Sequence, residues 1–316
     1  ARRFTLEREF DAAGSEADAF LVRSDAGRLF AKVYRKGAAP NSEVLERLNR
    51  AAPAHVIRLV EAGYSESDGC HYELLEYAEH GTLADLVRNE GNALPVELVR
   101  HVLVELHEAI RHVHSLGIEH RDIKPDNILV RARDPLDLVL TDFGISSATN
   151  ETHRFTSRHR TVRYSPPEAL SGALHRTRWD YWSLGIVLVE LLTGENPFGI
   201  SSEQVVNQRL VSYPTDELVE GVKDAAWRKL CRGLLRRSPE QRWAADEIEK
   251  WLRRPDDPSL IVPSEAAADS TTQVPPYMFL GRAYRSVGDL AQAFGANWAA
   301  ALKLWKTEQP ALIRWL

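Results

Sequence analysis

Two short polar segments in the middle of the chain constrain its fold more than any other feature of the sequence. The first is His120-Arg121-Asp122-Ile123-Lys124-Pro125-Asp126-Asn127, and the second, fifteen residues after Asn127, is Asp142-Phe143-Gly144. Either segment alone is weak evidence, because short polar side chains often do no more than cap turns. Together, in this order and at this spacing, they point to a site built from carboxylate, amide and ammonium groups.

The pair resembles the motif set of the eukaryotic-type (Hanks-type) serine/threonine protein kinase family. Three further segments extend the likeness over roughly residues 4 to 254: Thr161-Val162-Arg163-Tyr164-Ser165-Pro166-Pro167-Glu168, Asp180-Tyr181-Trp182-Ser183-Leu184-Gly185 and Arg242. They are similar to the end of an activation segment, the start of a buried central helix, and the arginine that pairs with the activation-segment glutamate. Small-molecule kinases of related fold generally lack this set, so the resemblance implies protein substrates.

The resemblance implies an α+β, two-lobed protein-kinase fold. We expect a small antiparallel β-sheet lobe over residues 1–77 and a large helical lobe over residues 78–254. A linker over residues 255–276 and a small helical module over residues 277–316 follow. The linker is rich in Pro, Asp, Ser and Ala and has no sustained period. The whole chain resembles a bacterial member of the family with a C-terminal helical extension.

Local patterns predict the main elements of the large lobe. Val96–Leu116 carries apolar residues at helical spacing and stops at Gly117. Trp179–Leu192 is apolar on every side, which is typical of a buried helix. In the small lobe, strand-like runs include Val56–Val60 and Tyr72–Tyr77.

The resemblance implies catalytic roles for Asp122, Lys124 and Asn127. Phosphoryl transfer needs positioning and charge neutralisation more than covalent help. Asp122 would face the attacking hydroxyl, and Lys124 would reach the transferring phosphate, a lysine that in the family accompanies Ser/Thr specificity. Asn127 and Asp142 supply the hard oxygen ligands that Mg²⁺ prefers. The implied cofactors are therefore ATP and Mg²⁺.

The nucleotide-binding residues implied by the resemblance lie in the small lobe and the connector. Lys32 is the match for the lysine that grips the α- and β-phosphates, and Leu21 fits the apolar position above the adenine. Leu75 would be the gatekeeper behind the adenine. The backbone carbonyl of Glu76 and the N–H of Ala78 would bond the adenine edge.

The glycine-rich loop and the strand after it depart from the family pattern. Gly14 matches the first glycine, but Glu16 and Ala19 stand at the other two positions, which leaves fewer backbone routes to the phosphates. Phe30 stands where the family has a small alanine over the adenine. Either a one-residue deletion brings Ala31 to that place, or the pocket is narrowed.

The helix glutamate that should pair with Lys32 is ambiguous. The residue spacing found in the family puts Asn41 at the position of this glutamate, with Glu43 and Glu46 nearby. We favour Glu43 as the partner, while a solvated helix face explains each glutamate equally well. These departures put nucleotide affinity and regulation in doubt more than the chemistry, because the base and both metal ligands are intact.

The function implied by the resemblance is transfer of the ATP γ-phosphate to Ser or Thr hydroxyls of proteins. Arg121 would pair with a phosphate on the activation segment. We therefore hypothesise that autophosphorylation at Thr156 or Ser157 orders residues 145–160; ordinary loop hydroxyls are the alternative. The rival from another class is a pseudokinase, a nucleotide-regulated binding or scaffold module. A small-molecule phosphotransferase is a third reading.

Composition limits the remaining partners and the location. The net charge of −5 gives no basic excess for nucleic-acid binding. The longest apolar run, Leu184–Leu192, is too short to span a bilayer. Cys70 and Cys231 make no metal-ligand spacing and are expected to be free thiols in a reducing compartment. We expect a cytoplasmic protein, and the absence of an initial Met suggests an excised fragment.

The C-terminal module carries one apolar stripe. It consists of Leu290, Phe294, Trp298, Leu302 and Trp305 at successive spacings of four, four, four and three residues. A stripe of this kind packs on itself or on the large lobe, or it docks a partner or substrate.

Overall fold

The computed structural model describes most of the chain, with gaps. The described residues are 4–10, 17–25, 27–50, 52–91, 93–143, 147–148, 162–171, 178–199, 206, 210, 215–262, 277–279, 282–284 and 287–302. The chain divides into two compact units, Ala1–Leu260 and Ile261–Leu316. The lobe and linker boundaries expected from the sequence remain predictions within this division.

A five-stranded antiparallel sheet opens the first unit. Its strands are β1 (Thr5–Phe10), β2 (Ala17–Ser24), β3 (Gly27–Tyr34), β4 (Leu59–Ser65) and β5 (Cys70–Glu76), in the order β1-β2-β3-β5-β4. Strand β3 lies in the middle, paired with β2 on one side and β5 on the other. Leu29, Ala31 and Leu74 form a buried cluster. Because side chains alternate along a strand, Phe30 and Lys32 face the opposite side of β3.

One short helix accompanies the sheet. Helix α1 (Ser42–Leu48) is capped by Asn41, whose side chain accepts hydrogen bonds from two backbone N–H groups of the first turn. The predicted strand over Val56–Val60 is displaced, since β4 begins only at Leu59. Val56 instead makes an isolated bridge to Leu140, because the N–H of Ile57 bonds to the Leu140 carbonyl at 2.9 Å.

The rest of the first unit is mainly helical. Its helices are α2 (Leu83–Glu90), α3 (Val96–Ser115), α4 (Glu168–Ser171), α5 (Trp179–Thr193), α6 (Ala225–Leu234) and α7 (Ala245–Arg253). The apolar stripe of α3 is buried, and the chain leaves the helix through Gly117 at φ +68°. Helix α5 is buried along almost its whole length, as its sequence predicts. These features confirm the predicted α+β architecture.

Two small antiparallel pairs interrupt the helices and position the polar segments. They join β6 (Ile118–Glu119) to β9 (Ser147–Ala148) and β7 (Ile128–Arg133) to β8 (Leu136–Leu140). Residues 120–127 connect β6 to β7, and residues 141–143 follow β8. The two polar segments are therefore held at the same end of one hairpin.

The second unit combines strands and a helix. Strands β10 (Tyr277–Phe279) and β11 (Arg282–Tyr284) pair antiparallel before helix α8 (Val287–Ala296). The sequence predicted only helix here; three-residue strands are too short to show an alternating pattern. Phe279 and Leu290 are buried together with Ala301.

The apolar stripe of the second unit is split between core and surface. Leu290 is buried and Phe294 packs against its cluster. Trp298 and Leu302 are 67% and 41% exposed. Trp305 lies outside the described residues. In the described part of the chain, no helix has the length and apolar character needed to cross a membrane.

Candidate active site

The three predicted catalytic side chains form one hydrogen-bonded cluster. Asp122 Oδ2 accepts from Lys124 Nζ at 2.8 Å and from Asn127 Nδ2 at 2.8 Å. Asn127 Nδ2 also donates to the backbone carbonyl of Asp122 at 2.9 Å. Asn127 ends a 3-10 turn, Pro125–Asn127, that begins with proline and therefore needs no N–H donor at its start. The structure thus brings Asp122, Lys124 and Asn127 together as the sequence predicts.

A buried carboxylate on α5 fixes the backbone of this segment. Asp180 is fully buried and accepts from the backbone N–H groups of His120 at 3.0 Å and Arg121 at 2.7 Å. His114 Nε2 lies 2.8 Å from the same carboxylate. Burial alone would raise the pKa of Asp180, but the hydrogen bond and charge of His114 and the backbone N–H groups lower it. Asp180 therefore stays ionised and holds the loop that carries Asp122.

His120 couples the two polar segments. Its Nε2 lies 2.8 Å from the carbonyl oxygen of Thr141, and its ring packs on Phe143 with centroids 4.6 Å apart. The N–H of Thr141 bonds to the carbonyl of Asn127 at 3.0 Å. Asp142 follows with φ +62°, a left-handed conformation that costs energy in a residue with a Cβ. The surrounding contacts hold Asp142 in this strained conformation at the site.

Asp142 and Lys32 form the charge pair of the cleft. Lys32 Nζ lies 2.8 Å from Asp142 Oδ1, and the carboxylate side chain is 46% exposed. Burial would raise the pKa of Asp142, but the charge and hydrogen bond of Lys32 lower it. The sheet and the segment after β8 therefore meet at an ionised carboxylate.

The predicted metal ligands suit Mg²⁺ in their chemistry. Because Asn127 donates its amide nitrogen to Asp122, its amide oxygen is the atom that can ligate a cation. Asp142 adds a half-exposed carboxylate. Within the described residues, no group of three His, Cys, Asp or Glu side chains is placed to hold a metal ion. Two protein ligands suffice for Mg²⁺ when substrate phosphates and water complete its octahedron.

Arg121 already has a carboxylate partner. Its Nη2 and Nε lie 2.8 and 3.2 Å from Glu119 Oε2, and both side chains are buried. Its guanidinium also lies over the Trp179 ring at 5.7 Å. The sequence hypothesis assigned Arg121 to an activation-segment phosphate and did not consider Glu119. Residues 149–161, which include Thr156, Ser157 and Thr161, lie outside the described residues.

A second buried ion pair supports the end of the activation segment. Arg242 Nη1 and Nη2 bond to Glu168 Oε1 and Oε2 at 2.6 and 2.9 Å, a bidentate arrangement. The Arg242 side chain is fully buried, and its Nε donates to the Arg236 carbonyl at 2.9 Å. This is the pairing that the motif positions predict.

The residues predicted to be the gatekeeper and hinge lie at the end of β5 or just after it. Leu75 and Ala78 are buried, and Leu75 lines a cavity with Lys32 and Asp142. The N–H of Glu76 bonds to the Arg58 carbonyl at 2.9 Å, which fixes the start of the connector. Gly14 lies outside the described residues.

The pairing of β2 with β3 distinguishes the two interpretations of Phe30, which are a one-residue deletion that brings Ala31 over the adenine and a narrowed pocket. Leu21 pairs with Phe30, and Ala19 pairs with Lys32, with no bulge between them. Phe30 therefore shares the Lys32 face of β3, and Ala31 points to the other side. Phe30 also packs against the cluster that contains Leu75. The one-residue deletion in β3 is therefore excluded. The aromatic ring of Phe30 stands at the position where the family has a small alanine side chain.

Glu43 does not lie where the sequence prediction placed it. Its Oε1 pairs with Arg47 Nη2 at 2.5 Å, one helical turn along α1. Arg47 in turn donates to the carbonyls of Leu116 and Gly117 at 3.1 and 2.9 Å. This arrangement ties Glu43 to the C-terminal end of α3, while Lys32 is paired with Asp142.

Sequence reasoning missed a glutamate on the sheet. Glu73 stands directly opposite Lys32 in the pairing of β3 with β5, and it is 7% exposed. It lines the same cavity as Lys32 and Asp142. A charged residue at an inward position of a strand was the available signal, because such residues are almost never buried without a partner.

The small sheet, the helical body and the Lys32–Asp142 pair at the Asp122 cluster define the protein-kinase class of fold. The family model described as "Protein kinase domain" matches residues 30–252. The chain therefore belongs to the protein kinase family, as the motifs predict.

Curated relatives match a large part of the chain. The chain is 34% identical over 189 residues to serine/threonine-protein kinase AtPK2/AtPK19 of Arabidopsis thaliana, covering 58% of this chain and 39% of that protein. It is 32% identical over 254 residues to ribosomal protein S6 kinase alpha-2 of Mus musculus, covering 77% and 34%. It is 29% identical over 252 residues to "Probable serine/threonine-protein kinase CPE1738" of Clostridium perfringens, covering 75% and 36%. The chain thus spans little more than a third of the length of each.

Proposed function

We propose that the chain is a serine/threonine protein kinase that transfers the γ-phosphate of Mg-ATP to hydroxyl groups of proteins. The observation that carries the proposal is the cluster in which Lys124 and Asn127 both bond to the Asp122 carboxylate. It combines a base, a cation and a neutral oxygen ligand beside the Lys32–Asp142 pair. Phosphoryl transfer needs this combination of positioning and charge neutralisation. The names of the matched relatives agree with the Ser/Thr class.

Each residue has a distinct proposed role. Asp122 orients the substrate hydroxyl and accepts its proton. Lys124 and Lys32 neutralise phosphate charge, and Asn127 and Asp142 would hold Mg²⁺, which would supply further charge neutralisation. The adenine is proposed to lie beside Leu21 and Leu75, with its edge bonded to the backbone of Glu76 and Ala78.

The decisive experiment is intact-mass spectrometry of the purified chain after incubation with Mg-ATP. Stepwise additions of about 80 Da per phosphate, absent from an Asp122→Asn control, are the expected result. Phosphorylation of a generic protein but not of common small acceptors would separate a protein kinase from a small-molecule phosphotransferase. Labelling in the Asp122→Asn variant equal to the unsubstituted chain would contradict the assignment of Asp122.

The same measurement tests a finer proposal, autophosphorylation of the activation segment. Its hydroxyls include Thr156 and Ser157, flanked by Arg154, Arg158 and Arg160. Mapping of the phosphates to Thr156 or Ser157 is expected. Phosphates confined to other parts of the chain would refute this step without touching the kinase assignment.

A pseudokinase is the second candidate, and one observation favours it. Phe30 shares the Lys32 face of β3, at the position where the family has a small alanine over the adenine. A pseudokinase would act as a nucleotide-regulated binding or scaffold module. Titration with ATP, with and without Mg²⁺, discriminates the two: Mg²⁺-dependent affinity together with phosphate transfer supports the enzyme, and binding without transfer supports the scaffold.

The second unit is proposed to dock a partner or substrate. Trp298 and Leu302 expose apolar surface, and tryptophan is enriched at interface hot spots. Loss of protein phosphorylation after Trp298→Ala, with autophosphorylation retained, is the expected result. The proposed location is the cytoplasm, on the ground that Cys70 and Cys231 are free thiols. No nucleic-acid partner is proposed for a chain of net charge −5.

A further inference from the structure

The active site places a buried glutamate where it can act on Lys32, and this inference rests on the proposed kinase function. A lysine that grips phosphates needs a carboxylate that orients its ammonium group. Asp142 bonds to Lys32 in the structure, but Asp142 is also the proposed Mg²⁺ ligand. A second carboxylate is therefore needed to hold Lys32 when Asp142 is engaged elsewhere.

Helix α1 cannot supply that carboxylate from the position at which the family has it. Asn41 stands there, and it is the N-cap of α1, with Oδ1 accepting from the N–H groups of Glu43 at 3.0 Å and Val44 at 3.1 Å. The side chain at this position is thus neutral and committed to the helix terminus.

The two glutamates on α1 are also directed elsewhere. Glu43 is paired with Arg47, which is anchored to the end of α3. Glu46 is exposed to solvent. Neither lines the cavity that contains Lys32.

Glu73 lies on the correct face of the sheet. It is the direct cross-strand partner of Lys32, and residues opposite each other in an antiparallel pair project from the same face with Cβ atoms about 5 Å apart. Tyr34, two residues beyond Lys32 and hence on the same face, donates a hydrogen bond to the Glu73 carboxylate. Glu73, Tyr34 and Lys32 all line one cavity with Asp142.

Burial makes a partner for Glu73 necessary. A carboxylate that is 7% exposed is costly unless it is paired and hydrogen-bonded. Among the described residues that line the cavity, Lys32 is the single cation. Burial raises the pKa of Glu73, and the charge of Lys32 is the largest effect that opposes the rise. The charge of Lys32 thus favours the ionised form of the buried Glu73 carboxyl.

We propose that Glu73 on β5, and not a glutamate on α1, is the carboxylate that positions Lys32 for the nucleotide phosphates. Glu73 is a positioning residue, since it acts on the nucleotide only through Lys32. In the family, a glutamate on the helix positions this lysine; here a glutamate on the sheet takes that role.

A double-mutant cycle tests this proposal by calorimetric titration with MgADP. Glu73→Gln is expected to weaken binding by about tenfold, and the same change in a Lys32→Met background by less than about twofold, because residues that act through one contact are not additive. Glu73→Asp keeps the charge and should recover part of the affinity. Glu43→Gln, the matched change on α1, should have no effect, and thermal unfolding verifies that each variant is folded.

The outcomes separate this inference from the proposed function. The role of Glu73 would be overturned if the effects of Glu73→Gln and Lys32→Met on MgADP binding were additive. It would also be overturned if Glu43→Gln, and not Glu73→Gln, were coupled to Lys32→Met. In both cases, phosphate transfer by the unsubstituted chain would leave the kinase assignment intact. An unsubstituted chain that neither bound MgADP nor transferred phosphate would overturn both.

Discussion

The buried pair of Glu119 and Arg121 gives a prediction that can be worked out from the structure. The side chains are 4% and 6% exposed, and two nitrogens of Arg121 contact Glu119 Oε2 at 2.8 and 3.2 Å. Glu119→Gln removes the negative charge and leaves a buried guanidinium without its counterion. Breaking a buried pair from one side costs about 3–5 kcal/mol. Because glutamine keeps one oxygen acceptor, we expect the lower end, about 3 kcal/mol.

Thermal unfolding followed by circular dichroism measures this loss. The midpoint should fall by roughly 6–12 °C, since a domain of this size shifts by about 2–4 °C per kcal/mol. Glu79→Gln is the matched control, because Glu79 is 67% exposed and lies 3.6 Å from Arg28. An exposed pair of this kind contributes less than about 1 kcal/mol.

A double variant distinguishes lost pairing from general disruption. Replacing both partners, as in Glu119→Leu with Arg121→Met, removes the buried charge along with its counterion. This protein should be more stable than Glu119→Leu alone. If Glu119→Gln lowered the midpoint no more than Glu79→Gln, the reasoning from burial would be refuted.

Three further predictions concern the activation segment, the adenine site and pH. Arg121 already bonds to Glu119. The double variant Thr156→Ala, Ser157→Ala should therefore retain more than about a third of the kinase activity toward a generic protein. A loss of activity above about tenfold would show that a phosphate on the activation segment is needed. Phe30→Ala should lower the Kd for MgADP in calorimetric titration by removing the ring from the cleft face of β3; weaker binding would contradict the placement. Burial lowers the pKa of His107 below its usual 6.5, so the unfolded chain binds the proton first and stability should fall as pH drops below about 6.5. His107→Gln should reduce the difference between unfolding midpoints at pH 7.5 and 5.5, and an unchanged difference would assign the pH dependence to other groups.

The catalytic cluster could be predicted because its geometry is local. Asp122 and Asn127 lie five residues apart on one connection between β6 and β7, and a proline turn brings their side chains together. Asp142 follows the partner strand of the same hairpin. Spacing along the chain therefore carries over into spacing in the site, and the family resemblance of the two motifs was enough to predict that these residues act together.

The carboxylates that stand beside Lys32 and Arg121 could not be predicted, for two different reasons. Glu73 stands opposite Lys32 only because of the register of β3 with β5, a pairing between strands that are distant in sequence. Glu119 reaches Arg121 because Arg121 has φ +64°, which turns the chain so that residues two apart can meet. Neither the strand register nor the backbone turn has a sequence signature of its own, although an acidic residue at an inward strand position did signal a buried partner for Glu73. The capping role of Asn41 did have one, since Asn immediately before a helix is a strong N-cap.

Phe30 and Glu73, two residues on the nucleotide side of the site, lie close together on the sheet. Their arrangement bears on whether the chain is an enzyme. Phe30 pairs with Leu75, and Lys32 pairs with Glu73, two cross-strand positions along. Phe30 and Glu73 therefore lie on one face of one strand pair. Burying a carboxylate at the Glu73 position costs free energy unless it is paired. On the proposal that Glu73 positions Lys32, this strand pair would keep a charge arrangement suited to phosphate binding, and phosphate transfer measured beside MgADP binding separates an enzyme from a pseudokinase that only binds the nucleotide.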